Sequence, residues 1–406
     1  MGGYLIVLGA TVGTTLLLTP LVRRLAIRIG AVVAPDERRV HDRPTPTLGG
    51  VAMYFGLLAG LGTATVVPQF DPVFRDNSEP LGILLGATII LLVGALDDLL
   101  ELSAPAKAAG MVLAGSALSL LGVSMLWFRV PFGEIVSVSP DLAPLVTVLW
   151  VLALANAVNF IDGLDGLAAG VVAIAAGAFA LYSDHLFELG RLGFNNNSIG
   201  PLVAVVALGM CLGFLPFNVH PARIFMGDAG ALLLGLLMAC WTLLVGGGTH
   251  EAATGSTAFF LFPLLIPLVI MGVPVLDLAF AVVRRASRRV SPAVADRNHL
   301  HHRLERLGHG QRRSVFILWA WTAILSGLVL AAVYTDQSDA LVPAGIAALA
   351  VLLYTVLHPE ARRSRRRKGT PGPASTPPAP PGLEGDDEGE PAALTGAPRV
   401  VPTTRE

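Results

Sequence analysis

Asp97 and Asp98 stand side by side at the end of an apolar run, with Glu101 and Lys107 just beyond. Adjacent carboxylates repel unless a cation or a shared proton relieves them. Magnesium, free or phosphate-bound, would do so. Solvated charges at a helix terminus would need neither. Lys107 is one of two lysines in a chain that otherwise uses arginine, and it suits anionic oxygens. A second group runs Asn156, Asn159, Asp162-Gly163 and Asp165-Gly166. Asparagines at i and i+3 share a helix face, and glycine permits a sharp turn or close approach to a ligand. The same pattern fits a polar helix contact followed by a turn. A third group holds Asn218, His220, Arg223, Phe225, Gly227 and Asp228. Asp228 reads as a helix N-cap or as a ligand. Phe225 suits base stacking or a core, and Arg223 suits phosphate or a basic loop.

A fourth group runs from Asp296 to Leu307 and carries His299, His301 and His302. Leu300, Leu304 and Leu307 form an apolar stripe, which suggests an amphipathic interfacial helix. No cysteine or closely spaced further histidine completes a tetrahedral zinc site. The histidines therefore fit an anionic substrate better, as donors or proton carriers. A fifth stretch, from Pro35 to Gly50, is charged and proline-rich and ends in Gly49-Gly50. Together the acidic, amide and cationic groups suggest a magnesium–pyrophosphate site.

The elements that must position these residues are membrane helices. The chain has 406 residues, 53% hydrophobic and 14% charged, against about 25% charged in a soluble protein. Mean hydropathy is +0.67. A water-soluble enzyme is excluded for want of polar surface. A net charge of −1 points to no nucleic-acid partner. The two cysteines, Cys211 and Cys240, lie in apolar runs, so a disulfide scaffold is excluded too. A spanning helix needs about 20 apolar residues. Eleven runs qualify: 3–22, 48–67, 81–96, 107–123, 142–158, 166–182, 198–216, 229–247, 257–282, 314–334 and 340–357. The third is short, and prolines break or kink the ninth.

Nearly all Lys and Arg fall in 23–47, 97–107, 217–228, 284–313 and 361–368. The other loops hold only Arg75, Arg129 and Arg191. By the positive-inside rule the N-terminus is outside and the C-terminus cytoplasmic. The expected fold class is thus all-α: a polytopic integral membrane protein of the plasma membrane with about 11 transmembrane helices. A membrane domain covers 1–358. The tail 359–406 reads as cytoplasmic and disordered, with a basic cluster suited to anionic membrane lipids. All the unusual polar groups fall at the cytoplasmic face. A transporter would place them near the midplane; an enzyme acting on a cytosolic substrate places them at one face.

In these motifs and their order, residues 1–330 resemble the polyprenyl-phosphate N-acetylhexosamine-1-phosphate transferase family. The loop Asp296, Arg297, His299, His301, His302 and Arg303 resembles its GlcNAc branch more than its MurNAc-pentapeptide branch. The resemblance implies transfer of GlcNAc-1-phosphate from UDP-GlcNAc to polyprenyl phosphate, undecaprenyl or decaprenyl, with UMP released. It implies magnesium, or manganese in its place, on Asp228 with Asn159 nearby. Asp97 and Asp98 would position the lipid phosphate or the metal. Asp162, Asp165, Asn218 and Phe225 would line the nucleoside pocket, with Asn156 and Arg223 also on the substrate. Lys107, His299, His301 and His302 would contact phosphates or sugar. Homodimers are common in the family, and no motif here points to one. The pattern of CDP-alcohol phosphotransferases is not met, because the later paired aspartates are missing.

Overall fold

The structure is a computed structural model that describes residues 2–33, 44–75, 77–129, 135–188, 198–246 and 311–334. Helix α1 spans Gly2–Ile29 and is followed by a two-residue hairpin, β1 (Val32–Val33) with β2 (Thr45–Pro46). Helices α2 (Gly49–Ala64), α3 (Asp71–Phe74), α4 (Glu79–Leu100) and α5 (Ala104–Leu120) come next. A second antiparallel hairpin pairs β3 (Trp127–Arg129) with β4 (Ile135–Ser137). Helices α6 (Ala143–Ile161), α7 (Leu167–Glu188), α8 (Gly200–Asn218), α9 (Gly227–Gly246) and α10 (Gln311–Tyr334) complete the described residues.

The chain is therefore a mostly helical membrane protein. By length and composition six of these helices can cross a bilayer: α1, α4, α6, α7, α8 and α9. Every expected span within the described residues overlaps a helix, but those at 48–67, 107–123 and 314–334 fall on α2, α5 and α10, which are not among the six, so the count of eleven spans is not reached by these residues. The expected spans at 257–282 and 340–357, the histidine loop and the tail 359–406 lie outside the described residues. Two boundaries differ. The run 48–67 is not one straight span: α2 ends at Ala64 and the chain bends by 89° into Pro68–Phe74. Pro68 and Pro72, which lack an N–H, favour that break. The supposedly short third span is a 22-residue helix, because Glu79 and Pro80 serve as its first turn and Asp97 to Leu100 extend it.

Helix α9 is the hub. Of its apolar window 94% is buried, against 28% for α1. It packs on α4, α6, α8 and α2, while α1 covers α2 and α8, and α7 lies between α8 and α10. Glycine makes the closest approaches possible. A side chain at Gly50 would strike the backbone of Ala229 and Gly230, and one at Gly94 that of Asp228 and Ala229. Without a hydrophobic drive between helices in lipid, such close contact supplies the association energy. A polar tie within the bundle is Trp150 Nε1 donating to Thr242 Oγ1 at 2.7 Å between α6 and α9.

Candidate active site

The C-terminal ends of α4, α6 and α8 meet the N-terminal ends of α5, α7 and α9 at one end of the bundle. At their centre is Asp228, on the first turn of α9. Its Oδ1 accepts from Asn159 Nδ2 at 2.9 Å, and its Oδ2 pairs with Lys107 Nζ. Lys107 also pairs with Asp97 Oδ2 at 2.7 Å. One ammonium thus bridges carboxylates from α4 and α9. The other Asp97 oxygen accepts from the Leu102 amide at 2.9 Å, which ties α4 to the turn before α5. Glu101 sits in that turn with φ 52°, the left-handed region, and its N–H closes on the Asp97 carbonyl.

Asp98 has another task. Its two oxygens accept from the backbone N–H groups of Asp228 at 2.9 Å and Ala229 at 3.2 Å. A carboxylate from α4 therefore caps the N-terminus of α9 from outside, satisfying donors a helix cannot satisfy itself. The favourable dipole end of α9 receives that charge. Asp228 is not the cap of its own helix: its side chain is turned to Asn159 and Lys107.

The segment before α2, the end of the fifth stretch that the sequence singled out, closes the site from a further side, although no residue of it was expected to have a role of its own. Phe225 N–H donates to Pro46 O, Gly49 N–H to Phe225 O and Gly50 N–H to Met226 O, each at 2.9 Å. Thr47 is buried beside Gly227, which has φ 68° and no room for a side chain between Thr47 and Asp98. The proline-glycine pattern of residues 44–50 was the available signal.

Asp162, just past α6, is half-buried. Among the described residues no hydrogen bond or ion pair reaches its carboxylate. Burial, reinforced by the carboxylates of Asp228, Asp98 and Asp165, pushes it well above the usual carboxylate range. Asp165 and Asn218 are buried and engage the loops themselves. Asn218 Oδ1 accepts from Gly166 N–H at 3.1 Å, and its Nδ2 donates to Ile224 O at 3.1 Å. Asp165 Oδ2 accepts from Ala222 N–H at 3.0 Å and lies 2.8 Å from His220 Nδ1. Arg223 is exposed, and its carbonyl accepts from Arg23 Nε at 2.9 Å. Phe225 is half-buried on the same loop. The structure does not bring Asn156 into the cluster: its Nδ2 donates to Leu152 O at 2.8 Å within its own helix, with Met111 Sδ at 3.4 Å. His299, His301 and His302 lie outside the described residues.

The donor set suits a hard divalent cation. Asp97, Asp98 and Asp228 converge with one ammonium and one helix N-terminus to offset them, so the pocket retains negative charge. Lys107, held between two of the carboxylates, shows that a cation is favoured there. Magnesium takes one or two carboxylates and fills its shell with water and phosphate oxygen. Among the described residues no group of three or more His, Cys, Asp or Glu side chains is arranged to hold a metal ion by itself.

The sequence profile of glycosyl transferase family 4 matches residues 80–246, which hold the groups of the cluster described above except Arg23 and the 44–50 segment. The decaprenyl-phosphate N-acetylglucosaminephosphotransferase of Mycobacterium tuberculosis is 37% identical over 347 residues, 82% of this chain and 85% of the relative. A Bacillus subtilis protein named "Probable undecaprenyl-phosphate N-acetylglucosaminyl 1-phosphate transferase" is 36% identical over 309 residues, 75% of this chain and 78% of its own length. The phospho-N-acetylmuramoyl-pentapeptide-transferase of a Mycobacterium species is 32% identical over 371 residues, 83% of this chain and 98% of the relative. With such identity over most of both lengths, and with the cluster at Asp228 inside the matched region, this chain belongs to glycosyl transferase family 4.

Proposed function

We propose that the protein transfers GlcNAc-1-phosphate from UDP-GlcNAc to a polyprenyl phosphate, undecaprenyl or decaprenyl, at the cytoplasmic membrane face. The observation that carries this reading is the convergence of Asp97, Lys107, Asn159 and Asp228 from four helices at one end of an apolar bundle. A lipid acceptor and a soluble nucleotide donor need such a site, polar and at the membrane boundary. The higher identity to the GlcNAc-phosphate transferases supports that donor over the pentapeptide one.

In the reaction a phosphate oxygen of the lipid attacks the phosphorus that bears GlcNAc. The bond from that phosphorus to the bridging oxygen of UMP breaks, and UMP leaves with the electron pair. Phosphate monoesters have a second pKa near 6, so the nucleophile needs no deprotonation at neutral pH. Asp97 accordingly positions Lys107 and the turn before α5 rather than taking a proton. Lys107, freed from one carboxylate by an incoming phosphate, places its charge on the transferred group. Asp228 and Asn159 would hold magnesium, or manganese in its place, which supplies charge stabilisation for phosphoryl transfer. Asp98 fixes Asp228 by capping α9. Asp162 and Phe225 face the nucleoside, and Asp165 and Asn218 hold the loops around it. The positive-inside bias is read as giving the orientation, over an expected eleven spans, with 1–358 as membrane domain, 359–406 as cytoplasmic tail and His299, His301 and His302 as contacts to phosphates or sugar.

The test is transfer of label from UDP-GlcNAc to polyprenyl phosphate by the purified full-length protein, with UDP-MurNAc-pentapeptide in parallel. Labelled lipid from UDP-GlcNAc, abolished by EDTA and in Asp228→Ala, is the expected result. Product from the pentapeptide donor alone would overturn the donor assignment and leave the site. No product from either would overturn the reading.

A further inference from the structure

The loop between α8 and α9 carries Arg223, Phe225 and the approach to Asp228, and it is held down at several points. Beneath it is the turn between α6 and α7. Asp165, in that turn, has a side chain only 2% exposed. Its Oδ2 lies 2.8 Å from His220 Nδ1 and accepts the Ala222 N–H at 3.0 Å. A buried carboxylate needs partners, and two of those of Asp165, His220 and Ala222, come from a loop 55 and 57 residues further along the chain. A carboxylate that fixes one ring nitrogen also fixes the orientation of the imidazole. The His220 side chain is 34% exposed, so its ring sits at the loop surface rather than in the core.

We propose that His220 is a positioning residue for the nucleotide donor. Through its Nδ1–H bond to Asp165 it latches the 219–226 loop onto the 162–166 turn and sets Phe225 and Arg223 for the nucleotide. This rests on the reading of the site as one for UDP-GlcNAc. The latch is separable from the metal end. Asp228 is held independently by Asp98, Asn159 and Lys107. Asn218 keeps its own ties to Gly166 and Ile224. Loss of the His220 bond should therefore loosen the nucleotide end and leave the reacting end in place.

The test compares His220→Ala and His220→Asn in the full-length protein with saturating polyprenyl phosphate. Asparagine places an amide N–H near the position of Nδ1, so it keeps the donor and loses the ring. His220→Ala is expected to raise KM for UDP-GlcNAc by about tenfold, the scale of one hydrogen bond to a charged group. Its kcat should stay within about twofold, since no transition-state contact is removed, and its magnesium dependence should not change. His220→Asn is expected to restore KM. Unchanged KM in His220→Ala, with or without reduced Vmax, overturns the proposal, since a purely structural loss removes active enzyme without changing KM. An equal KM rise in His220→Asn also overturns it. Should His220→Ala not purify folded, His220→Phe, which keeps ring bulk without the donor, takes its place. If the wild type makes no product from UDP-GlcNAc, the functional reading fails by itself. The latch is then read by hydrogen exchange of amides 219–226. Faster exchange in His220→Ala but not in His220→Asn sustains the latch, and equal exchange in all three proteins overturns it.

Discussion

Asp97 and Asp98 look alike in sequence and do different work. Successive helix residues point about 100° apart, so one carboxylate meets Lys107 and the other meets the start of α9. The residue types thus announce an acidic site, while the division of labour waits on which helices lie to either side. Asn156 and Asn159 show the same limit. Both occupy one helix face, but Asn156 lies a turn deeper, about 4.5 Å along the axis, and bonds to Leu152 instead of Asp228. Asp162 offers a test at this scale. Its carboxyl titrates well above the ordinary range because burial and three neighbouring carboxylates disfavour its charge. The folded state then binds the proton more tightly than the unfolded chain, so stability falls as pH rises from the ordinary carboxylate value through the raised one. Asp162→Asn removes that loss. In EDTA the variant is expected to melt above the wild type at neutral pH. The difference should shrink as pH falls toward about 4, the unfolded value. Transfer activity should drop, because the proposed contact of Asp162 with the donor loses its carboxylate. A melting temperature below wild type at neutral pH would mean that the charged form is the stabilised one.

At the scale of the element, the apolar runs gave the helices, and they failed where small residues decide. The break after Ala64 and the full length of α4 depend on proline positions and on the Asp97 to Leu100 extension, which a hydropathy window averages away. Packing shows the same sensitivity. Thr11 and Thr15 of α1 lie against Gly56 and Gly60 of α2 and against Gly209 and Gly213 of α8. Both threonines are fully buried. Nothing in the sequence ranks these glycines, since Gly62 looks the same and faces open space. Gly50 is the most constrained, because a methyl group there meets backbone of α9 that cannot swing aside. Overpacking costs about 1–3 kcal/mol where neighbours can shift. Gly50→Ala is therefore expected to cost at least that and to displace the start of α9, lowering both thermal stability and transfer. Gly62→Ala should leave both near wild type. Thermal melts of the two variants in the same detergent check the contrast, and equal melting temperatures would contradict the packing.

For the whole molecule, the one-sided clustering of polar motifs was the most legible feature, and its physical basis is visible. The ends of α1, α4, α5 and α9 and the α6–α7 and α8–α9 loops meet through Arg23 with Arg223, Asp98 and Lys107 with Asp228, and Asp165 with His220. Those pairings bring Arg23 and the acidic motifs to one end of the bundle, although their sequence positions alone say nothing of distance. Which side of the membrane that end faces follows from the Lys/Arg bias, and labelling decides it. Both native cysteines are buried, so the wild-type protein gives little background with a membrane-impermeant maleimide. Arg28, exposed at the C-terminal end of α1, marks the site end, and Thr65, exposed after α2, marks the opposite end. In intact cells Thr65→Cys is expected to label and Arg28→Cys to stay protected; in inverted vesicles the pattern should reverse. Labelling of Arg28→Cys from outside would put the acidic cluster on the external face, beyond reach of a cytosolic nucleotide sugar. The donor would then have to be supplied from the outer side, and the functional reading would fall with the orientation.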